Sequence, residues 1–171
     1  MTHQPLNADF EFSQLPDRLR QEVLAAFHGT PRKVTFAPGS MFYRWVTPRK
    51  GDSPELSGNG VLDGRWWFSM EVWNRITRAA FRKNAPIRNA ARSKLAVTTA
   101  FNREMEYMCR IVLQAPVCGW VGPASAQHDP ARGRLPGGCE QIYFPSLAVA
   151  AGGMFSPVAR LDWWGYPDDG R

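Results

Sequence analysis

Two segments far apart in this chain hold side chains that could act on one ligand. The first, Ser40-Met41-Phe42-Tyr43-Arg44-Trp45-Val46, sets a single arginine inside an aromatic, strand-prone run. The second, Gly137-Gly138-Cys139-Glu140-Gln141-Ile142-Tyr143-Phe144, places two glycines before a polar pair that opens another run of strand formers. Glycine lets the chain turn sharply and lets a ligand approach the backbone, so Gly137 and Gly138 are candidate binding residues. A strand fixes the side chains it carries, which makes Glu140 or Gln141 an anchored hydrogen-bonding group. Adjacent strand residues point to opposite faces, so only one of the two enters a given cleft, and the spacing from the glycines favours Gln141. An anchored arginine with such a partner suits an anionic ligand that also carries hydroxyls. Between them, Arg65-Trp66-Trp67-Phe68-Ser69 offers three aromatic faces for stacking and a hydroxyl.

Each of these has an ordinary alternative. Arg44 alone is equally an edge-strand arginine in a surface ion pair. Trp66 and Trp67 suit a core, Ser69 suits the N-cap of a helix starting near Glu71, and the glycine pair suits a turn before a strand. Only the ordered combination points to a site.

At 171 residues the chain has the length of one domain with a real core, and 44% hydrophobic with 21% charged residues describes a globular chain. Its seven tryptophans exceed what a small core needs, so some are expected to line a cleft or surface. Much of the net charge of +6 sits in Arg75, Arg78, Arg82, Lys83, Arg88, Arg92 and Lys94, with Arg132 and Arg134 before the glycine pair. Such a stretch attracts phosphates or an acidic protein, or is a solvated helix face. Cys109, Cys118 and Cys139 make an odd count without C-x-x-C spacing, so neither a disulfide framework nor a zinc site is indicated and no metal is expected. Cys139 could be a nucleophile, but His3, His28 and His128 lie in no motif that would supply its base. A signal segment and a membrane-length apolar run are both lacking, so no membrane partner is expected. The chain is expected to be made soluble in the producer cytoplasm, with any export by another route or within a larger parent protein.

The elements that must position these groups follow from periodicity. Residues 1–15 look like a loose arm. A short amphipathic helix opens at Leu15-Pro16-Asp17, carries Leu19, Val23, Leu24 and Phe27 on one face, and stops at Gly29. Strands are expected over 33–36 and 41–46, then a Pro/Gly/Ser-rich loop over 47–64, long enough to be functional. Helical spacing covers 71–82, and 87–100 is a second helix or an irregular basic stretch. Residues 108–113 and 141–144 read as strands, 116–122 as a turn into a short Trp-Val segment, 124–136 as a loop, and 158–161 as a last strand. Strands in both halves with helices between give an α+β class.

This order of strand arginine, aromatic-serine segment, helices and Gly-Gly-x-x-Gln strand resembles the ADP-ribosyltransferase-fold superfamily, and within it bacterial NAD-glycohydrolase and ADP-ribosyltransferase toxin domains. The resemblance covers residues 38–146. Gly137-Gly138-Cys139-Glu140-Gln141 fits the glycine-glutamine run, and Trp120-Val121-Gly122-Pro123-Ala124 loosely fits the Trp-x-Gly-x-Ala-Pro stretch with its last two residues reversed. The Ser-Thr-Ser triplet of many transferases is missing. The resemblance implies a split β-sandwich with N-terminal helices, in which residues 1–30 form an arm and helix and residues 31–171 a single NAD-binding catalytic domain. It implies NAD as substrate, bound by Arg44 beside Tyr43, with Trp66, Trp67, Phe68 and Ser69 shaping the nicotinamide pocket and Gln141 or Glu140 engaging the nicotinamide ribose. The expected activity is NAD hydrolysis by a toxin acting in a target-cell cytoplasm, with an acidic immunity protein protecting the producer. Transfer of ADP-ribose to a protein or nucleic acid is the alternative, and a non-catalytic basic nucleic-acid binder is the alternative of another class.

Overall fold

Aromatic and β-branched runs fit a pleated, half-buried surface, and this chain turns its main ones into strands. The computed structural model describes residues 4–46, 64–102, 105, 107–147 and 159–161. The expected loop over 47–64, apart from Gly64, and residues 148–171, apart from 159–161, lie outside the described residues. In chain order the elements are α1 (Asp17–Ala25), β1 (Arg32–Phe36), β2 (Met41–Val46), β3 (Trp66–Ser69), α2 (Met70–Lys83), α3 (Ile87–Leu95), β4 (Tyr107–Val112), β5 (Val117–Pro123), β6 (Gln127–Asp129), β7 (Gly133–Leu135), β8 (Glu140–Tyr143) and β9 (Ala159–Leu161). The strands form a sheet in the order β1-β5-β8-β3-β2-β4-β9 and a separate β6-β7 hairpin. All these pairings are antiparallel, which gives the expected α+β class.

β3 joins two halves of the sheet. Its first residues, Trp66 and Trp67, pair with Tyr143 and Ile142 of β8, while Phe68 and Ser69 pair with Tyr43 and Phe42 of β2. The three aromatics therefore part company. Trp67 enters the core between the two halves with Phe42, Ile111, Val121, Ile142 and Phe144. Phe68 enters the core beneath α2 and α3, and Trp66 packs with the cluster under α1. Phe42 and Phe144 meet edge to face at 5.3 Å, so the β2 half and the β8 half share one apolar layer.

α2 forms because Ser69 Oγ accepts the Val72 N–H at its start, Val72, Ile76 and Ala80 fall on one buried stripe, and Asn84 ends it in the left-handed conformation before Pro86. Truncating the fully buried Ile76 to alanine would cost about 2–5 kcal/mol. No described helix is long and apolar enough to cross a membrane.

Several expectations need correction. The N-terminal arm is not loose over residues 4–16: Phe10 and Phe12 meet Trp120 edge to face at 4.9 and 5.3 Å, and Leu6 exchanges backbone hydrogen bonds with Pro116 and Cys118. Polar residues between the aromatics hide that apolar stripe from a composition reading. Leu24 faces outward while Val23 and Phe27 are buried. Residues 117–123 form a full strand, buried up to Gly122, instead of a short segment, and the stretch 124–136 holds the β6-β7 hairpin. A Cβ on Gly122 would come within 2.9 Å of the Phe27 ring, so this glycine lets the end of α1 sit directly on β5.

Candidate active site

A cleft opens where β3 passes from β8 to β2. Its two lobes share Trp66, Leu95, Val97, Phe101 and Gln141. The smaller lobe, about 50 Å³, adds Arg44, Trp45, Trp67, Phe68 and Asn102. The larger, about 350 Å³, runs on past Ala25, Ala26, Ala96, Thr98, Ser125 and Gln127 to Glu22, within the range of small-molecule sites. Among the described residues, Arg44 and Glu22 are the charged ones of the two walls, one in each lobe.

Gln141 is held by the end of α1. Its Nε2 donates to the Ala26 carbonyl at 2.7 Å, an oxygen that also accepts the Ser125 N–H at 2.8 Å. A carbonyl can only accept, so this contact fixes which end of the amide is nitrogen. Oε1 accepts no hydrogen bond among the described residues, and Gln141 lines both lobes. Arg44 reaches the same lobe from β2, with its Cζ 6.0 Å from the centre of the Trp67 ring. Gln141 and Trp66 lie on the α1 side of the sheet and Arg44 lies with Trp67 on the other, and all four line the smaller lobe where β3 changes partner.

Of the residues singled out in the sequence, Arg44, Trp66, Trp67, Phe68 and Gln141 come together in the smaller lobe. Five others are placed elsewhere. Glu140 lies outside both lobes, where its Oε2 accepts from Arg32 Nη2 at 3.2 Å in an exposed ion pair. Tyr43 is buried beneath α2, its hydroxyl against the sulfurs of Met41 and Met70 at 3.0 and 3.4 Å; that burial raises its pKa, an effect Arg110 partly offsets. Ser69 spends its side chain on the α2 N-cap. Gly137 and Gly138 present no N–H to a ligand: they donate to the carbonyls of Ser93 and Ala124 at 2.9 Å each. Both glycines are left-handed, and a Cβ on Gly137 would come within 2.5 Å of the Ala124 carbonyl. They wrap the chain around the C-terminal end of α3 and so set which face of β8 Gln141 occupies. Of the loop residues before them, Gln127 lines the larger lobe and His128 is exposed outside it.

The third wall was not visible in the sequence. Residues 96–102 leave α3 through a left-handed Ala96 and are tied down from three sides. Arg92, read from sequence as one cation of a stretch that either attracts an anionic partner or faces solvent, is buried and donates to the carbonyls of Val97 and Asn102 at 2.8 and 2.9 Å. Asn102 Nδ2 donates to Trp45 O at 3.3 Å. Asp129, fully buried at the start of the β6-β7 turn, accepts from Thr99 N and Oγ1 and from the N–H groups of Ala131 and Arg132. These bonds, the Thr99 N–H foremost, hold its pKa below the ordinary carboxylate value, with desolvation opposing them. The signal that could have located it is the Asp129-Pro130 turn, whose aspartate commonly binds its own turn backbone. Phe101, 65% exposed, stands at the mouth of both lobes. Cys139 is buried, and desolvation raises its pKa despite Arg75 and Lys94, which is the opposite of an activated thiolate.

No family model matches the chain, and no curated protein matches it. Among solved structures, its fold is similar to that of Tne2 in complex with Tni2, at 15% identity and a TM-score of 0.50 over 80% of this chain and 97% of that one. Rhs1-CT in complex with its cognate immunity protein RhsI1 superposes at 15% identity and a TM-score of 0.47, over 80% of this chain and 83% of that one. Tse6 in complex with Tsi6 gives 13% identity and 0.41, over 88% and 87%. At such identities the likeness to Tne2 is one of fold.

Proposed function

We propose that this chain is an NAD-consuming toxin domain that hydrolyses the bond between nicotinamide and ribose. The observation that carries the reading is the amide of Gln141, pinned through its nitrogen with no donor to Oε1 among the described residues, on a residue that lines the same lobe as Arg44 and an aromatic lining. Cleavage of an N-glycosidic bond builds positive charge on the sugar as an oxocarbenium-like transition state forms. The nicotinamide ring already carries positive charge and leaves as a neutral amine base, so the protein need not supply a strong general acid. Its tasks are to hold the pyrophosphate, stack the ring and stabilise the growing cation. Arg44 grips a phosphate with two parallel N–H donors. Trp66 and Phe101 offer ring faces across both lobes. Oε1 of Gln141 accepts from the 2′-hydroxyl and so stabilises the charge that develops beside it, a preorganised contact of the kind worth about 10²–10³ in rate.

Water is the acceptor in this reading. A glutamine does not take the proton of a protein nucleophile, and the carboxylates near it are paired, Glu140 with Arg32 outside the cleft and Glu22, in the wall of the larger lobe, with Arg18. The partner we propose is an acidic immunity protein. The net charge of +6 supports an acidic surface on it, and Tne2, of similar fold, was solved bound to Tni2. Incubating the pure protein with NAD tests the reaction: free ADP-ribose and nicotinamide without an acceptor support hydrolysis. ADP-ribose found only on an added macromolecule would support transfer, and salt-sensitive nucleic-acid binding without NAD loss would replace the enzyme reading.

A further inference from the structure

Arg44 is a long, flexible side chain, yet its use in the cleft depends on where its head rests. Trp67, 1% exposed in the core between the sheet halves, donates its indole N–H to the Gly64 carbonyl at 2.9 Å. Gly64 is thereby fixed at the entrance to β3. A methyl group built on its Cα would overlap Nη1, Cζ and Nη2 of Arg44, so the guanidinium occupies the space a side chain would take. The backbone of Gly64 is outside the left-handed region, unlike that of Gly137 and Gly138, and any L residue could adopt it. Glycine is needed here for room and not for conformation. The guanidinium also lies 6.0 Å from the centre of the Trp67 ring, within reach of a cation–π attraction.

We propose that Gly64 and Trp67 form a seat that aims the Arg44 guanidinium into the cleft, and that Gly64 is a positioning residue for the pyrophosphate of the dinucleotide. The inference rests on the function proposed above for its ligand, but the seat itself does not. One residue, Trp67, both anchors Gly64 through its indole N–H and faces the cation with its ring, so the two walls of the seat move together. A methyl at position 64 meets the far end of a flexible side chain, which swings away and leaves the surrounding packing intact.

The test is Gly64→Ala, with Trp67→Phe as a second variant that keeps an aromatic ring and removes the donor to Gly64. Two readouts are taken: the side-chain Nε–H resonance of Arg44, assigned by its loss in Arg44→Ala, and KM and kcat for NAD. Wild-type melting and circular dichroism are expected for Gly64→Ala, with a displaced Arg44 resonance and a KM raised about tenfold or more, as for losing a charge-assisted phosphate contact. The double variant Gly64→Ala/Arg44→Ala is expected to match Arg44→Ala alone, because the glycine acts through the arginine. In Trp67→Phe the Arg44 resonance is expected to move as well. An unmoved resonance in both variants overturns the seat, and so does a Gly64→Ala penalty that persists in the Arg44→Ala background. A displaced resonance in a protein that never consumes NAD upholds the seat and overturns the function instead.

Discussion

Replacing Gln141 with glutamate keeps the length and shape of the side chain while exchanging its N–H donor for an oxygen. The residue is 9% exposed, and its donor faces the Ala26 carbonyl at 2.7 Å. Loss of that bond removes about 1 kcal/mol, and setting a desolvated carboxylate against a carbonyl oxygen adds about 1–3 kcal/mol. For a chain of this length each kcal/mol moves the melting temperature by about 2–4 °C, so a drop on the order of 5–15 °C is expected at pH 7. The deficit has a definite pH dependence. A protonated glutamate donates to Ala26 O as the amide does, so folding raises its pKa above the unfolded value of about 4.3. Its stabilisation is therefore complete below that value and is lost as pH rises toward the folded pKa. Thermal melts of wild type and Gln141→Glu across pH 4 to 8 measure the gap, which should be small at the acid end and widen upward. Equal stability at pH 7, or a gap that does not change with pH, would refute the pinned amide.

Asp129→Asn tests the turn that carries the third wall. Because the pKa of Asp129 is depressed in the fold, its stabilisation is present above the ordinary value of 3.8 and is lost as pH falls through that value and on through the folded pKa. The variant should melt below wild type at pH 7, with the difference closing in acid; a constant difference would contradict the hydrogen-bond assignment. Phe101→Ala removes an exposed ring, so stability should stay within about 0.5 kcal/mol of wild type. KM for NAD should rise about 3- to 10-fold if the ring stacks on the substrate, and an unchanged KM would remove Phe101 from the site.

The sequence disclosed much of the fold because strand-forming runs and helix caps are local signals. The α2 helix is an example, with its Ser69 cap and its stripe at Val72, Ile76 and Ala80 all within one segment. Adjacency on a strand also separated Gln141 from Glu140 in principle, since alternation sends them to opposite faces. What sequence could not supply is the destination of each face. Trp66, Trp67 and Phe68 look alike as a run, yet they enter three different clusters: alternation sends Trp67 to the face opposite Trp66 and Phe68, and the change of partner after Trp67 parts those two. The glycine pair reads equally as a ligand cradle and as a turn, and only the carbonyls of Ser93 and Ala124 decide for the turn. Arg92 reads as one more cation in a basic stretch until its burial and two carbonyl partners turn it into a brace for the cleft wall. Ala26 and Asp129 act on the site from elements that share no motif with it. Such long-range contacts leave no spacing to read.

Nicotinamide release from saturating NAD, compared between wild type and Gln141→Ala with folding verified by circular dichroism, tests the central claim most directly. The account expects steady release by wild type and a rate lower by about 10²–10³ in the variant, with the fold retained. Equal rates in the two proteins, or no release by the wild type at all, would contradict it.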